Sequence, residues 1–437
     1  MTRHARSSRR PPLTAALLTI ALLLACATGA AAALRPWDRG ADEPAQAGPT
    51  LSAAPSASPT PSPTPSPTPD PDAQFTIVAT GDVLPHLPVV TSATTSGTVD
   101  FAPLLASLDP WVQGADLALC HLEVPVAPPG TRPSGYPVFA APAQIVTGLA
   151  RQGWDGCSTA SNHSVDRGFA GVTATLDALD AAGLGHVGTA RTQREADQPQ
   201  LYTLERAGQT ITVAQVAATY GTNGMPVDSD KPWSVSLIDV PAMVAEAQAA
   251  RAAGADVVVA SVHCCVEYQT APTAEQVEIA QAIADSGAFD LYIGHHAHVP
   301  QPVVRLDGGP DGTGMWVAYG LGNFLSNQDG ACCSPKTDSG LMLTAHVTSP
   351  GGFDAEGRAA GPARVTGVEW TAVTVDRKGG HRVHALRDIP DGTSTLSAAE
   401  VAARLARVTE AAGTQAPERT TPLTPTGDAP TVVARTP

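Results

Sequence analysis

Residues 256–262 read Asp-Val-Val-Val-Ala-Ser-Val, a β-branched run with no polar alternation, as suits a strand buried on both faces. Alanine-rich helical stretches flank it, at 241–253 and 273–285. Strand-like and helix-like runs that alternate in this way build sheets covered by helices, so the pattern predicts an α/β fold. Segments 341–347 and 364–376 alternate more simply and predict antiparallel strands at a sheet edge. Residues 397–412 predict one amphipathic helix, with Ser397 and Glu400 in capping-box positions.

His263 follows the 256–262 run directly, and Glu267 stands four residues further on. Four other apolar runs also end in donor side chains: Asp82 after F-T-I-V-A-T-G, His121 and Glu123 in D-L-A-L-C-H-L-E, Asn162, His163 and Asp166 in S-T-A-S-N-H-S-V-D-R-G, and His295, His296 and His298 in Y-I-G-H-H-A-H-V. The last cluster spends three of the chain's 12 histidines in a few residues. A parallel sheet would gather such strand ends around one crevice. Singly each has a plain structural reading: a turn Asp after glycine, a solvated loop Glu, a turn Asn, a hydrogen-bonded His at a strand terminus, a polar His-rich turn.

In this order, the G-D at Asp82, the L-E-x-P at Glu123, the N-H-x-x-D-x-G at Asn162, the V-H-x-x-x-E-Y at His263, the G-H-H-x-H at His296 and the Y-G-L-G-N-F at 319–324 resemble the bacterial CapA family, over roughly residues 75–350. That family is named for poly-γ-glutamate capsule synthesis and is related to the calcineurin-like metallophosphoesterases. The resemblance implies a four-layer sandwich of two mixed β-sheets flanked by helices, of metallo-dependent phosphatase type. It also implies Asp82, Glu123, Asn162, His263, His296 and His298 as metal ligands. Three departures stand out. His121 replaces an amide, either adding a donor or filling its space, Cys264-Cys265 replaces Trp-Gly, and His86 lies four residues beyond Asp82, where a ligand would be expected sooner.

The donor set itself, carboxylate with amide oxygen and imidazole, suits a divalent transition metal (Zn, Mn or Fe), as one ion or two. Such an ion makes hydroxide available near neutral pH and so points to hydrolysis, with Glu123 as a candidate bridge. His163 is then the candidate general acid. Asp166 either orients that loop or caps the helix that follows, and Asn323 either approaches a ligand or simply forms a turn beside its glycines. Two functional readings follow from the resemblance: a metal-dependent hydrolase of cell-envelope or capsular polymer, or a non-catalytic polymer-handling module working with capsule-assembly proteins.

Residues 1–36 join a basic start to an uncharged run from 11 to 34. A cleaved signal, a spanning anchor and a lipoprotein signal at Cys26 all fit, and each puts the rest of the chain outside the cytoplasm, the anchor and the lipoprotein holding it at a bacterial membrane. Residues 37–74, rich in Pro, Ser and Thr, predict a semi-rigid disordered tether. The folded domain is expected over 75–390, the terminal helix within 391–412, and a disordered tail over 413–437. A formal charge of −15 excludes nucleic acid as a partner and leaves a polyanion to be met locally by metal. Cys120, Cys157, Cys264, Cys265, Cys332 and Cys333 form an even set that favours disulfides over a thiolate site in an exported domain. A bridge between the Cys264-Cys265 and Cys332-Cys333 loops would brace the rim of the site.

Overall fold

The structure is a computed structural model and describes residues 71–352 and 362–437. The expected membrane segment 1–36, and the tether apart from its last residues, lie outside the described residues.

Two large sheets carry the fold. In the first, strand Ala73–Val83 pairs in parallel with Leu117–Leu122 and in antiparallel with Ser339–Ser349. Gly156–Ser158 and Gly185–Val187 extend the parallel side, while Arg364–Asp376 and Arg382–Ala385 extend the other. The two alternating segments are therefore antiparallel neighbours as expected, but the short strand Arg382–Ala385 takes the edge. In the second sheet, Gln209–Thr219, Val257–His263, Leu291–His295 and Met315–Ala318 run parallel in that order. Val303–Leu306 and Gln200–Arg206 flank them in antiparallel.

The β-branched run shows why the layers stack. Val257 and Val259 face the first sheet, packing in one core with Phe75, Ile77, Leu117 and Leu119. Val258 and Ala260 point the other way, into helices Val240–Ala252 and Ala274–Asp285, through Met243, Ala247, Ala280 and Ile283. On the outer face of the first sheet, Val78, Cys120 and Leu122 pack against helices Gln144–Gln152 and Gly168–Ala181. The order is helix, sheet, sheet, helix. Each fully buried side chain of this size contributes about 1.5–3 kcal/mol, so a run buried on both faces ties three layers together.

Helix Ala398–Ala412 begins at the capping box of Ser397 and Glu400 and adds Val401, Val408 and Ala412 to the core between the sheets. The tail beyond it is not the disordered segment that its composition suggests. Thr431–Val433 adds a strand to Gln200–Arg206, with Val432 opposite Tyr202. Upstream of it, Thr426 donates its amide and hydroxyl to Asp116 Oδ1 at 2.6 and 2.8 Å. Arg206, buried, reaches the same carboxylate at 2.9 Å and also donates to the Asp428 carbonyl. Arg435, also buried, donates to the backbone carbonyls of His186 and Glu195 at 2.7 and 2.6 Å. Polar contacts to distant partners fix this tail, and they leave no apolar period to read.

The disulfides also differ from the expected bridge. Cys120 and Cys157 pair across adjacent strands with Cα atoms 4.4 Å apart, while Cys264 pairs with Cys265 and Cys332 with Cys333. Cys264 is buried at the end of its strand, whereas Cys332 is exposed in a turn hung on the Asp329 carbonyl. Each vicinal pair closes on itself.

Candidate metal centre

The strand ends of both sheets meet through one segment, 319–323. Gly322 lies so close to Gly81 that a Cβ on Gly81 would sit 2.0 Å from the Gly322 oxygen, and a Cβ on Gly294 would sit 2.0 Å from the Tyr319 oxygen. Asp82 donates its amide to the Gly322 carbonyl, and Leu321 donates to that of Gly294. The glycines of Y-G-L-G-N-F and its two partners thus stitch one sheet to the other at their carboxyl ends.

Register then does the positioning. Asp82 stands opposite His121 in the first sheet, and His263 opposite His295 in the second. His296 and His298 follow on a turn with φ of 82° and 55°. Left-handed backbone at a non-glycine residue costs on the order of 1–2 kcal/mol, and here it turns both imidazoles back over the strand ends.

All six expected ligands converge. His263 Nε2 lies 2.9 Å from Asn162 Oδ1, 3.1 Å from His296 Nδ1 and 4.0 Å from Glu123 Oε1. His298 Nδ1 is 3.0 Å from Asp82 Oδ2, and its Nε2 is 3.6 Å from Glu123 Oε1. Of the four donor sets among the described residues with atoms mutually within 4.8 Å, three lie here: Asp82, His121 and His263; Asp82, Glu123 and His298; Glu267, His296 and His298. Ligands about 2.0–2.2 Å from a common ion lie within such a span of one another. The carboxylate shared between two sets is Asp82, not Glu123, and His298 is shared as well.

The sequence placed less weight on His121 and Glu267, which complete two of these sets. The register of His121 with Asp82 is a property of strand pairing and invisible from spacing. His295, first seen only as part of the triplet, stacks on His121 with ring centroids 4.0 Å apart and approaches Asp82 Oδ1 at 3.5 Å. Asn323 holds His298 through its side-chain oxygen at 3.1 Å, so its part is to orient a ligand.

The electrostatics fit a cation. Glu123 is 1% exposed and neither of its oxygens accepts a hydrogen bond, and Asp82 Oδ2 and His295 Nδ1 are likewise without aligned partners. Burial pushes the Glu123 acid well above its usual range. For Asp82 burial acts the same way, but His295 and His298 outweigh it and hold the carboxyl well below its usual range. Burial works against charge on His298, yet the facing Glu123 and Asp82 push it up to about 9. His121 and His263 are driven well below the ordinary imidazole value by burial and by neighbouring imidazoles, and His296 falls to about 3 for the same reasons. Neutral imidazoles facing two buried carboxyls, of which Glu123 accepts no hydrogen bond, make a set suited to a cation, and a divalent ion there would displace the protons on Glu123 and His298.

Beside the donors opens a cleft of about 670 Å³ whose walls include Asn162, His163, Asp166, Glu267 and His298. His163 Nδ1 lies 2.8 Å from Asp166 Oδ2, which also accepts the Phe139 amide at 2.6 Å. Asp166 therefore holds His163, and Arg167 occupies the cap position of the following helix. His86, outside the donor sets, lines the same cleft and meets Phe139 edge-on at 5.1 Å.

A sequence model described as "Bacterial capsule synthesis protein PGA_cap" matches residues 76–328, more than half of the 437-residue chain. The chain belongs to this family. It is 31% identical over 179 residues to the PGA biosynthesis protein CapA of Bacillus subtilis strain 168, covering 39% of this chain and 42% of that protein. Over 284 residues it is 28% identical to a "probable polyglutamine synthesis accessory protein" of Mycobacterium tuberculosis H37Rv, covering 60% and 72%. The chain thus spans under half the length of the Bacillus relative. Among solved structures, NAD nucleotidase of Haemophilus influenzae aligns with TM-score 0.42 and 11% identity, covering 77% of this chain and 62% of that one. The calcineurin-like phosphoesterase YfkN of Bacillus subtilis aligns with TM-score 0.40 and 14% identity, covering 77% and 97%.

Proposed function

We propose that this member of the capsule synthesis family is a metal-dependent hydrolase that cleaves an ester bond in capsular or other cell-envelope polymer. The observation that carries the reading is Glu123, fully buried with both oxygens unpaired and facing Asp82 and His298. A buried carboxyl that accepts no hydrogen bond is costly enough that a protein keeps one only where something else compensates it. The names of the relatives in Bacillus and Mycobacterium support a capsular polymer as the material handled.

A divalent transition ion bound here, one or two in number, would supply Lewis-acid polarisation and a source of hydroxide near neutral pH. Asp82, His121 and His263 on one side, with Glu123, His298, His296 and Glu267 on the other, would hold it. Asn162 presents its oxygen beside His263, in the same shell. His163 gives Nδ1–H to Asp166, which fixes the ring and leaves Nε2 as the nitrogen that meets substrate; from there it protonates the departing oxygen. Asp166 positions that ring.

The reading extends to place. An exported chain held at a bacterial membrane by residues 1–36 would meet envelope polymer directly. Among the described residues no helix is long and apolar enough to cross a membrane.

Metal content of the purified full-length chain, together with turnover of a simple phosphodiester and of a γ-glutamyl oligomer, tests the proposal. Bound transition metal with turnover, both reduced in Glu123→Gln, is the expected result. Metal without turnover of either substrate would favour a polymer-handling assembly role, which the relatives' titles as biosynthesis and accessory proteins also suit. A folded chain that binds no metal would overturn the hydrolase reading.

A further inference from the structure

We propose that the group adjoining the scissile ester in this protein's substrate is an uncharged sugar ring, seated on the face of Tyr136 and held by the amides of Asn223 and Asn327. This rests on the hydrolase reading for the ester, and on the cleft alone for the sugar.

No Lys or Arg is among the described residues that line the cleft, whereas the carboxylates of Glu267 and Asp166 stand in its wall. Cations on neighbouring segments are already paired with protein groups. Arg377 pairs with Asp329, Lys336 donates to Thr270 Oγ1 at 3.4 Å, and Arg167 donates to Ser134. A γ-glutamyl chain carries a carboxylate on every residue and would have to be desolvated against like charge there, with only the metal centre to offset it. An uncharged polyhydroxyl chain meets no such cost.

The wall offers what a pyranose uses. Tyr136 is 82% exposed and lines the cleft, presenting a broad ring face to the C–H face of a sugar. Asn223 spends its oxygen on Asn162 Nδ2, at 3.2 Å, and Asn327 spends its own on Arg377 Nε, at 3.2 Å. Their amide nitrogens have no protein acceptor among the described residues and can donate to hydroxyls, while Glu267 accepts from them. A nucleobase would need a second ring to close a sandwich. Phe139, below the mouth, is 2% exposed and met edge-on by His86 and His163 at 5.1 and 4.8 Å. Tyr268, the second ring in the wall, is only partly exposed, leans on His298 with ring centroids 6.0 Å apart and accepts from Gln328 Nε2 at 3.4 Å. Tyr136, the most open ring of the wall, with several amides beside it, favours a sugar over a base.

The substrate class is then a glycosyl phosphoester. Water's oxygen forms a new bond to phosphorus as the bond from phosphorus to the departing oxygen breaks. The proton released by water ends on the departing group, and nothing is oxidised or reduced.

The test compares two diesters with one leaving group, a hexosyl p-nitrophenyl phosphate and methyl p-nitrophenyl phosphate, using the metal-loaded full-length protein. The wild type should show a KM for the hexosyl diester about tenfold below that for the methyl diester, Tyr136→Ala should bring the ratio close to one, and Tyr136→Phe should preserve it. Equal KM values in the wild type, or an unchanged ratio in Tyr136→Ala, would overturn the inference, as would preference for a nucleoside phosphate or a γ-glutamyl oligomer. Should neither diester turn over, the hydrolase reading fails separately. Calorimetric binding of a hexose 1-phosphate then decides the sugar site: binding weakened about tenfold in Tyr136→Ala supports it, and binding unaffected by that change refutes it.

Discussion

His163 and Asp166 illustrate how much one hydrogen bond decides. The ring is tied at Nδ1 to a carboxylate that is itself held by the Phe139 amide, so its second nitrogen has one orientation relative to the cleft. General acids of this kind contribute roughly 10²–10⁴-fold, and only where the departing oxygen is basic. His163→Ala should therefore lower kcat by about that factor for an alkyl ester and far less for a p-nitrophenyl ester. Equal losses on the two leaving groups would remove the acid role. At this scale the sequence was generous with residue types and silent on partners. Asp82, Glu123, Asn162, His263, His296 and His298 were legible as donors beside the ends of apolar runs and as one set only through the family resemblance. That Asp82 rather than Glu123 is shared between donor sets depends on the pairing of Asp82 with His121 across two strands, which no spacing encodes.

Among the elements, the strands announced themselves and the stitching between them did not. The run Val257–His263 is readable because both its faces are buried. Segment 319–323 looked like an ordinary glycine turn, yet its backbone sits against Gly81 and Gly294 at distances that leave no room for a Cβ. Strand pairing also creates a pH dependence away from the centre. Asp155 accepts the Ala118 amide at 2.8 Å, and burial nevertheless pushes its acid up to about 7. An unfolded aspartate titrates near 3.9, so over the interval between these values the folded chain binds the extra proton. The stability due to that proton is complete below about pH 4 and is lost as pH rises towards 7. In Asp155→Asn the loss disappears. The melting temperature of the variant relative to wild type should climb from pH 4 to 7 and then level; a constant difference across that range would show that Asp155 does not titrate as described.

For the whole molecule, the α/β class followed from alternation and the four layers from the family resemblance, but the closing of the chain on itself followed from neither. Residues 413–437 have the composition of a loose tail and the contacts of a strap. Thr426 completes the surroundings of Asp116, and Arg435 is buried against His186 and Glu195. Hydrogen bonds to charged groups are worth about 1.5–3 kcal/mol each. Deleting 413–437 should therefore lower the melting temperature by about 5 °C or more, given several such bonds and a shift of roughly 1–2 °C per kcal/mol for a domain this large. A truncated chain that melts with the full one would show the strap to be idle. Segment 319–323, not the strap, joins the two sheets at their carboxyl strand ends, and the functional account depends on a cation site where those ends meet. Anomalous X-ray scattering from crystals grown with Mn or Zn examines it directly. The expected result is a peak about 2.0–2.2 Å from Asp82 and His263 donor atoms, or from those of Asp82, Glu123 and His298. Ordered density for these side chains with no anomalous peak among them, at metal concentrations that saturate the protein, would contradict it.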